Sequence, residues 1–311
     1  MNTTEAGLSP VDQAILFLLA GGLGFFLSRT RTPGRFADAV SFLNVWIALP
    51  GLFFVIYVTR GIVSQDIGIV TFSTVFTLLV VWLLLVASRG LTGAVRGAVI
   101  LNGAFVNAIN LPFPILQAMM GTYTYAATFA ATTSAIQIVV ARLLQQHLRT
   151  GSGGGARASF TRAAPLVALA AGALLHYMVW PAVPSDSLIG GADLIENAFI
   201  AAIFLHFGVA LGRSLAGSGN TFGLGSRPFL FTALSRCFIG PVLALVLALP
   251  LGVGSAVYLQ MVFVATMPPA IINTLISRVY GFDADSSAKW TTILTPINTA
   301  EAVALLLILS R

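Results

Sequence analysis

The feature that most restricts the fold of this chain is a series of about ten apolar stretches, each close to the roughly 20 residues that a helix needs to cross a bilayer. Charged residues make up only 8% of the chain, against about 25% in soluble domains. The sequence therefore predicts an all-α polytopic membrane protein. The predicted spans are Val11–Ser28, Phe36–Val58, Ile67–Ala87, Ala94–Met120, Tyr123–His147, Ala163–Ala182, Ile189–Leu211, Pro228–Leu249, Ser255–Tyr280 and Ser286–Leu309.

A segment rich in glycine and serine, residues 150–161, lies at the middle of the chain and has the composition of a flexible linker. It separates residues 1–149 from residues 162–311, and each part contains five of the predicted spans. With an odd number of spans in each part, the second part enters the membrane in the opposite orientation. The sequence thus predicts two inverted five-helix repeats joined by a cytoplasmic linker.

The basic residues indicate the orientation, because cytoplasmic loops carry an excess of Lys and Arg. With the N-terminus outside, only Arg60 and Arg311 fall in outer segments, and Arg142 and Arg236 lie within or near span ends. We therefore expect both termini on the outer side of a cell membrane, the inner or plasma membrane. Because the arginines are spread between apolar spans, the net charge of +6 does not indicate nucleic-acid binding. The basic residues predicted to be cytoplasmic are Arg29, Arg31, Arg35, Arg89, Arg96, Arg149, Arg157, Arg162, Arg213, Arg227, Arg278 and Lys289.

Two spans are interrupted by polar residues and prolines, at Gly103–Pro114 and at Met267–Asn273. Proline removes a backbone donor and breaks or kinks a helix, and the freed backbone groups are tolerated in a bilayer only inside protein or beside a polar cavity. Interrupted spans at corresponding places in two halves are the best sequence indicator of a transporter's substrate site. The predicted substrate-binding residues are Asn107, Asn110, Pro114, Pro268 and Asn273. The predicted hinge residues are Pro112, Pro114, Pro268 and Pro269.

The interruptions have the chemistry of an anion site. Each half-helix that begins there directs a partial positive charge and N–H donors towards the break. The side-chain amides of Asn107 and Asn273 would add donors for a carboxylate without a buried arginine. These features therefore favour an anionic substrate.

A carboxylate in the last span, Glu301, is the main candidate for coupling. A buried carboxylate must pair, bind a cation or be protonated. Two interpretations remain open: Glu301 pairs with Arg236, or it binds a coupling ion, H⁺ or Na⁺, with Gln137 as a second candidate ligand. No other cofactor is expected, since the sequence has no metal-ligand spacing, no phosphate-binding glycine loop and no catalytic Ser/His/Asp set. The sequence thus predicts a protein that is not an enzyme.

The interrupted spans resemble those of the auxin efflux carrier superfamily of membrane transport proteins. In the fourth helix that family has an Asn, an apolar stretch, a Pro seven residues later and a Gly at the helix end, matched here by Asn107, Pro114 and Gly121. In the ninth helix it has Met-Pro, a run of small apolar residues, Tyr-Gly and an acidic loop. The corresponding residues are Met267, Pro268, Tyr280, Gly281 and Asp283. The match to Pro114 makes Asn107, rather than Asn110, the residue predicted to face the substrate.

This resemblance implies ten helices, of which the fourth and ninth are broken and cross near the middle of the membrane. It implies a scaffold of helices 1, 2, 6 and 7 that forms a homodimer through helices 2 and 7, and a moving transport domain of helices 3–5 and 8–10. The implied function is elevator-type transport of a malate-like or auxin-like carboxylate. Two alternatives remain open: a Na⁺-coupled symporter of the bile-acid type, and a membrane sensor that uses a carrier fold without transporting.

Overall fold

The computed structural model describes residues 10–30, 33–150, 155–179, 186–217 and 225–310, and these residues are almost entirely helical. The only regular feature among them that is not a helix or turn is an isolated antiparallel bridge between Val106 and Pro269. In chain order the helices are α1 (Pro10–Leu27), α2 (Pro33–Leu43, continued by Asn44–Ala48 and Leu49–Arg60), α3 (Ser64–Ala87), α4 (Gly93–Ala104), α5 (Pro112–Met120), α6 (Thr124–Leu148), α7 (Gly155–Val179), α8 (Asp186–Gly217), α9 (Arg227–Leu234, continued by Ser235–Ile239, Gly240–Ala248 and Leu249–Leu251), α10 (Ser255–Thr266), α11 (Ile272–Tyr280) and α12 (Ala284–Leu309).

Six of these helices are long and apolar enough to cross a membrane, and three shorter apolar helices accompany them. This supports the predicted class, a multi-pass α-helical membrane protein. The six spans are Gly34–Arg60, Ser64–Ala87, Thr124–Leu148, Leu194–Arg213, Arg227–Leu251 and Ala284–Leu309.

The helix boundaries differ from the predicted spans at informative places. The predicted spans Ala94–Met120 and Ser255–Tyr280 are each divided into two helices, with irregular backbone at residues 105–111 and 267–271. Helix α7 begins at Gly155, inside the segment 150–161 that we expected to be a linker, while residues 151–154 lie outside the described part of the chain. Residues 155–161 are therefore helical, which the glycine and serine content of the segment did not predict.

Two glycines end the short helices in the same way. Gly121 follows α5 with φ +70° and Gly281 follows α11 with φ +72°, a left-handed conformation that glycine adopts without steric cost. In α11 the N–H of Gly281 donates to the carbonyl of Ser277. The sequence pairs these glycines as the residues that follow the two broken spans, and the structure gives them equivalent roles.

Two helices contain a π-helical stretch, Asn44–Ala48 in α2 and Ser235–Ile239 in α9. Each stretch lies just before a proline, Pro50 or Pro241. Because proline has no N–H for the usual i→i−4 bond and clashes with the preceding turn, a wider turn accommodates it, as π-bulges commonly do in functional helices. Arg236, in the second stretch, is buried.

The chain divides into two compact units. Unit 1 comprises Met1–Val63, Phe113–Thr124 and Thr161–Arg213, so its described part contains α1, α2 and most of α5, α7 and α8. Within it α1 and α8 approach closely at Gly208, where an added Cβ would lie 1.9 Å from the carbonyl oxygen of Gly21. A hydrogen bond of 2.9 Å joins Asn44 Nδ2 to His206 Nδ1 in the same unit.

Unit 2 comprises Ser64–Pro112, Tyr125–Phe160 and Ser214–Arg311, and thus holds α3, α4, nearly all of α6 and α9–α12. Its core includes a cluster of three fully buried aromatic rings, Phe72 and Phe76 of α3 and Phe129 of α6, with centroids about 6 Å apart. The buried Asp66 of α3 accepts a hydrogen bond of 2.5 Å from Thr128 of α6. Both interrupted segments, up to Pro112 and through Asn273, lie in this unit.

Candidate functional site

The two interrupted segments pair with each other in unit 2. The N–H of Asn107 donates to the carbonyl of Pro268 at 2.7 Å, and the N–H of Ala270 donates to the carbonyl of Phe105 at 3.1 Å. Val106 and Pro269 face one another between these bonds as an antiparallel bridge. Backbone groups that are released where each helix stops therefore form hydrogen bonds with the other segment. Such bonds are needed because lipid cannot satisfy free N–H and C=O groups. We call this pair of segments, residues 105–111 and 267–271, the paired breaks.

The predicted proline residues occupy defined places around the paired breaks. Pro268 and Pro269 are buried in the second break, where one supplies an acceptor and the other forms the bridge. Pro112 and Pro114 are buried in the first turn of α5. Proline at the first helical position is favoured because its missing N–H would have no intrahelical partner there.

Asn273, a predicted substrate-binding residue, is fully buried and uses both ends of its amide within the protein. Its Nδ2 donates to the carbonyls of Leu101 at 3.1 Å and Phe105 at 3.0 Å, which lie at the end of α4. Its Oδ1 accepts a hydrogen bond of 2.5 Å from Nε2 of Gln137 on α6. Asn273 therefore ties α4, α6 and α11 together, and both of its amide hydrogens are already committed.

Asn107 has the opposite arrangement. Only 3% of the residue is exposed, and its Oδ1 accepts a hydrogen bond of 3.1 Å from the backbone N–H of Asn110. Its Nδ2 has no hydrogen-bond acceptor in the described part of the chain. A buried donor without a partner is costly and calls for an explanation. The side-chain oxygen is held by the local turn, and the amino group remains available to bind a ligand.

Asn110 is half-buried and contributes a backbone N–H rather than a side-chain contact to this turn. Its backbone bond holds the amide of Asn107 in one orientation. The structure therefore gives the two asparagines different tasks, with the free donor on Asn107.

The helix N-termini at the paired breaks supply fewer free donors than the sequence suggested. In α5, Pro112 and Pro114 remove two N–H groups from the first turn. In α11, the N–H groups of Asn273 and Thr274 donate to the carbonyls of Ala270 and Ile271. The partial positive charge of the helix ends remains, but the N–H groups of Asn273 and Thr274 already have acceptors and cannot bind a ligand. The side-chain amide of Asn107 is therefore the more important candidate donor.

The two candidate coupling-ion residues have different partners. Gln137 binds Asn273, as described above, and Glu301 Oε2 accepts a hydrogen bond of 3.0 Å from Nδ2 of Asn298. Asn298 Nδ2 also lies 3.3 Å from Sγ of Cys237 on α9. Arg236 lies within electrostatic range of Glu301, yet no hydrogen bond leads from its guanidinium to an acceptor in the described residues. If Glu301 pairs with Arg236, one of the two interpretations left open above, the pair is not hydrogen-bonded in this conformation.

Two buried polar residues in the helices that lead into the paired breaks were not singled out from the sequence. Gln260 of α10 accepts hydrogen bonds from the N–H groups of Tyr125 and Ala126 at 3.1 and 3.0 Å, and so caps the beginning of α6. Asn102 of α4 donates to Ser287 at 2.8 Å and accepts from Thr291 at 3.0 Å, both on α12. The sequence shows only a single side-chain amide in each of these apolar helices. Such an amide does not indicate which residues of another helix it will bond to.

Groups of three or more His, Cys, Asp or Glu side chains that could hold a metal ion do not occur among the described residues.

Comparison with known proteins gives one family match. Residues 191–299 match the model of a family described as membrane transport protein. The match covers about a third of the chain, from α8 into α12, and includes the second break but not the first. No curated protein matches the chain. The family match agrees with the resemblance of the interrupted spans to the auxin efflux carrier superfamily, and residues 191–299 are similar to membrane transport proteins of that kind.

Proposed function

We propose that this protein is a secondary transporter of a small organic anion, and that Asn107 at the paired breaks donates a hydrogen bond to the substrate's carboxylate. The observation that carries this proposal is the free Nδ2 of Asn107, an oriented and buried donor next to backbone that is not helical. A neutral donor binds an anion without the strong attraction of a fixed ion pair, so release, which turnover requires, stays fast. The family match supports transport as the activity.

Alternating access by an elevator-type movement is the mechanism we propose. It is supported by the division of the helices into two units, with both paired breaks inside unit 2. A substrate held by one compact unit can be carried as that unit moves as a body. Asn273 would then act as a positioning residue, because it connects three helices around the breaks and keeps Asn107 in place during the movement.

Two inverted five-helix repeats, with both termini outside, are the arrangement that we propose for the membrane. The order of the elements supports this, since a broken helix pair followed by one long helix closes each half of the chain: α4, α5 and α6 in the first half, and α10, α11 and α12 in the second. The distribution of basic residues supports the orientation.

A ligand screen with two matched variants tests the substrate class. Purified protein is heated with acetate, malonate, malate or indole-3-acetate, and a ligand that binds only the folded state raises the unfolding temperature. We expect Asn107→Ala to lose the shift produced by the best organic ligand. Asn110→Ala should keep it, because Asn110 holds Asn107 through its backbone N–H. An unchanged shift in Asn107→Ala would remove Asn107 from the site.

A further inference from the structure

Arg236 is a permanently charged side chain in the interior of unit 2. It lies in the π-helical stretch of α9 and is 1% exposed. This stretch packs against α3, α4 and α12, and Oγ of the neighbouring Ser235 donates to the carbonyl of Gly103 at 2.8 Å. That bond fixes the stretch against the last turn of α4, so the backbone from which Arg236 extends is well anchored.

The guanidinium has no acceptor among the residues that the structure describes, at Nε, Nη1 or Nη2. Glu301 is close enough to interact electrostatically, but its Oε2 is occupied by Asn298. Arginine stays charged in proteins, and its desolvation is offset only by an ion pair and hydrogen bonds. The described protein groups supply neither hydrogen bonds nor a contact ion pair, so the N–H donors of this buried guanidinium lack acceptors.

We propose that Arg236 binds one small anion, a carboxylate or chloride, at a site separate from Asn107. A planar guanidinium presents paired N–H donors that suit a compact anion and match a carboxylate in particular. Asn107 offers one neutral donor, whereas Arg236 carries a charge and several N–H donors that lack acceptors whether or not substrate is bound. The inference therefore goes beyond the proposed transport function and does not depend on it.

Thermal unfolding of the purified full-length chain tests this site. The buffer contains only a bulky sulfonate as its anion, and sodium chloride or sodium acetate is then titrated in. We expect the wild type and Asn107→Ala to gain on the order of 5 °C at an anion concentration about 100 times the Kd, and Arg236→Gln to gain nothing. Arg89→Gln removes the same charge from an exposed turn and should keep the full gain. The separate chloride and acetate titrations show which anion occupies the site.

Three results would overturn the inference: no anion-dependent gain in the wild type, an undiminished gain in Arg236→Gln, or loss of the gain in Asn107→Ala. If Arg236→Gln does not fold, Arg236→Lys decides the matter, because it keeps the charge but not the planar donor pair. We expect it to need at least a threefold higher anion concentration for the same gain in unfolding temperature, and an unchanged concentration would contradict the site. Failure of transport in Asn107→Ala leaves this titration unaffected, so the two proposals fail separately.

Discussion

Replacing Asn273 with alanine should destabilise the protein far more than the same replacement at Asn107. Asn273→Ala removes three buried hydrogen bonds, to Leu101, Phe105 and Gln137, each worth about 1 kcal/mol net. Both carbonyls keep a second donor, since Leu101 still accepts from Phe105 and Phe105 from Ala270. The net loss is therefore about 3 kcal/mol. Asn107→Ala loses one bond to Asn110 and also removes an unpaired donor, so its net effect is close to zero.

Intrinsic tryptophan fluorescence during heating measures this difference, since the chain has four tryptophans. A change of 1 kcal/mol shifts the unfolding temperature by about 2–4 °C in chains of moderate size, so Asn273→Ala should melt about 6–12 °C below Asn107→Ala in the same detergent. Asn107→Ala should melt within about 2 °C of the wild type on the same scale. Equal melting temperatures for the two variants would refute the distinction between a positioning asparagine and a binding one.

Two further predictions concern the elements that hold each unit together. Gln260→Leu removes the acceptor for the N–H groups of Tyr125 and Ala126, so we expect a loss of about 1–2 kcal/mol and faster amide hydrogen exchange in the first turn of α6; unchanged exchange there would contradict the capping role. Gly208→Ala would place a methyl group 1.9 Å from the carbonyl oxygen of Gly21, so we expect little monodisperse protein on size-exclusion chromatography. The control Gly22→Ala, whose added Cβ meets nothing within 4 Å, should purify normally, and equal yields would show that α1 and α8 do not need this close approach.

The sequence was sufficient to locate the breaks, because proline and asparagine in an apolar span conflict with a continuous lipid-exposed helix. It also indicated Asn107, whose spacing to Pro114 matches the family pattern. What it could not provide was the partner of each freed backbone group. The bridge between Val106 and Pro269 joins residues far apart in the chain, and no local preference encodes such a pairing.

The same limit explains why the roles of Asn107 and Asn273 could not be separated in advance. Both are asparagines in a proline-containing interrupted span. A side-chain amide uses the same N–H donors for a ligand as for a backbone carbonyl. Asn273 meets the C-terminal end of α4 and Gln137, whereas the Nδ2 of Asn107 meets no acceptor in the described residues. Pairing of Glu301 with Arg236 was one of two interpretations that the sequence left open. In the structure Glu301 accepts a hydrogen bond from Asn298 and stays within electrostatic range of Arg236, an arrangement that only tertiary packing sets.

Counterflow in liposomes is the most direct test of the central claim that Asn107 donates to a transported organic anion. Vesicles that contain the wild type and are loaded with the best carboxylate ligand should exchange it with labelled ligand outside. Asn110→Ala should exchange at a comparable rate, and Asn107→Ala at the rate of vesicles without protein. Exchange by Asn107→Ala at the wild-type rate would contradict the site, and a wild type that binds the ligand without exchanging it would contradict transport itself.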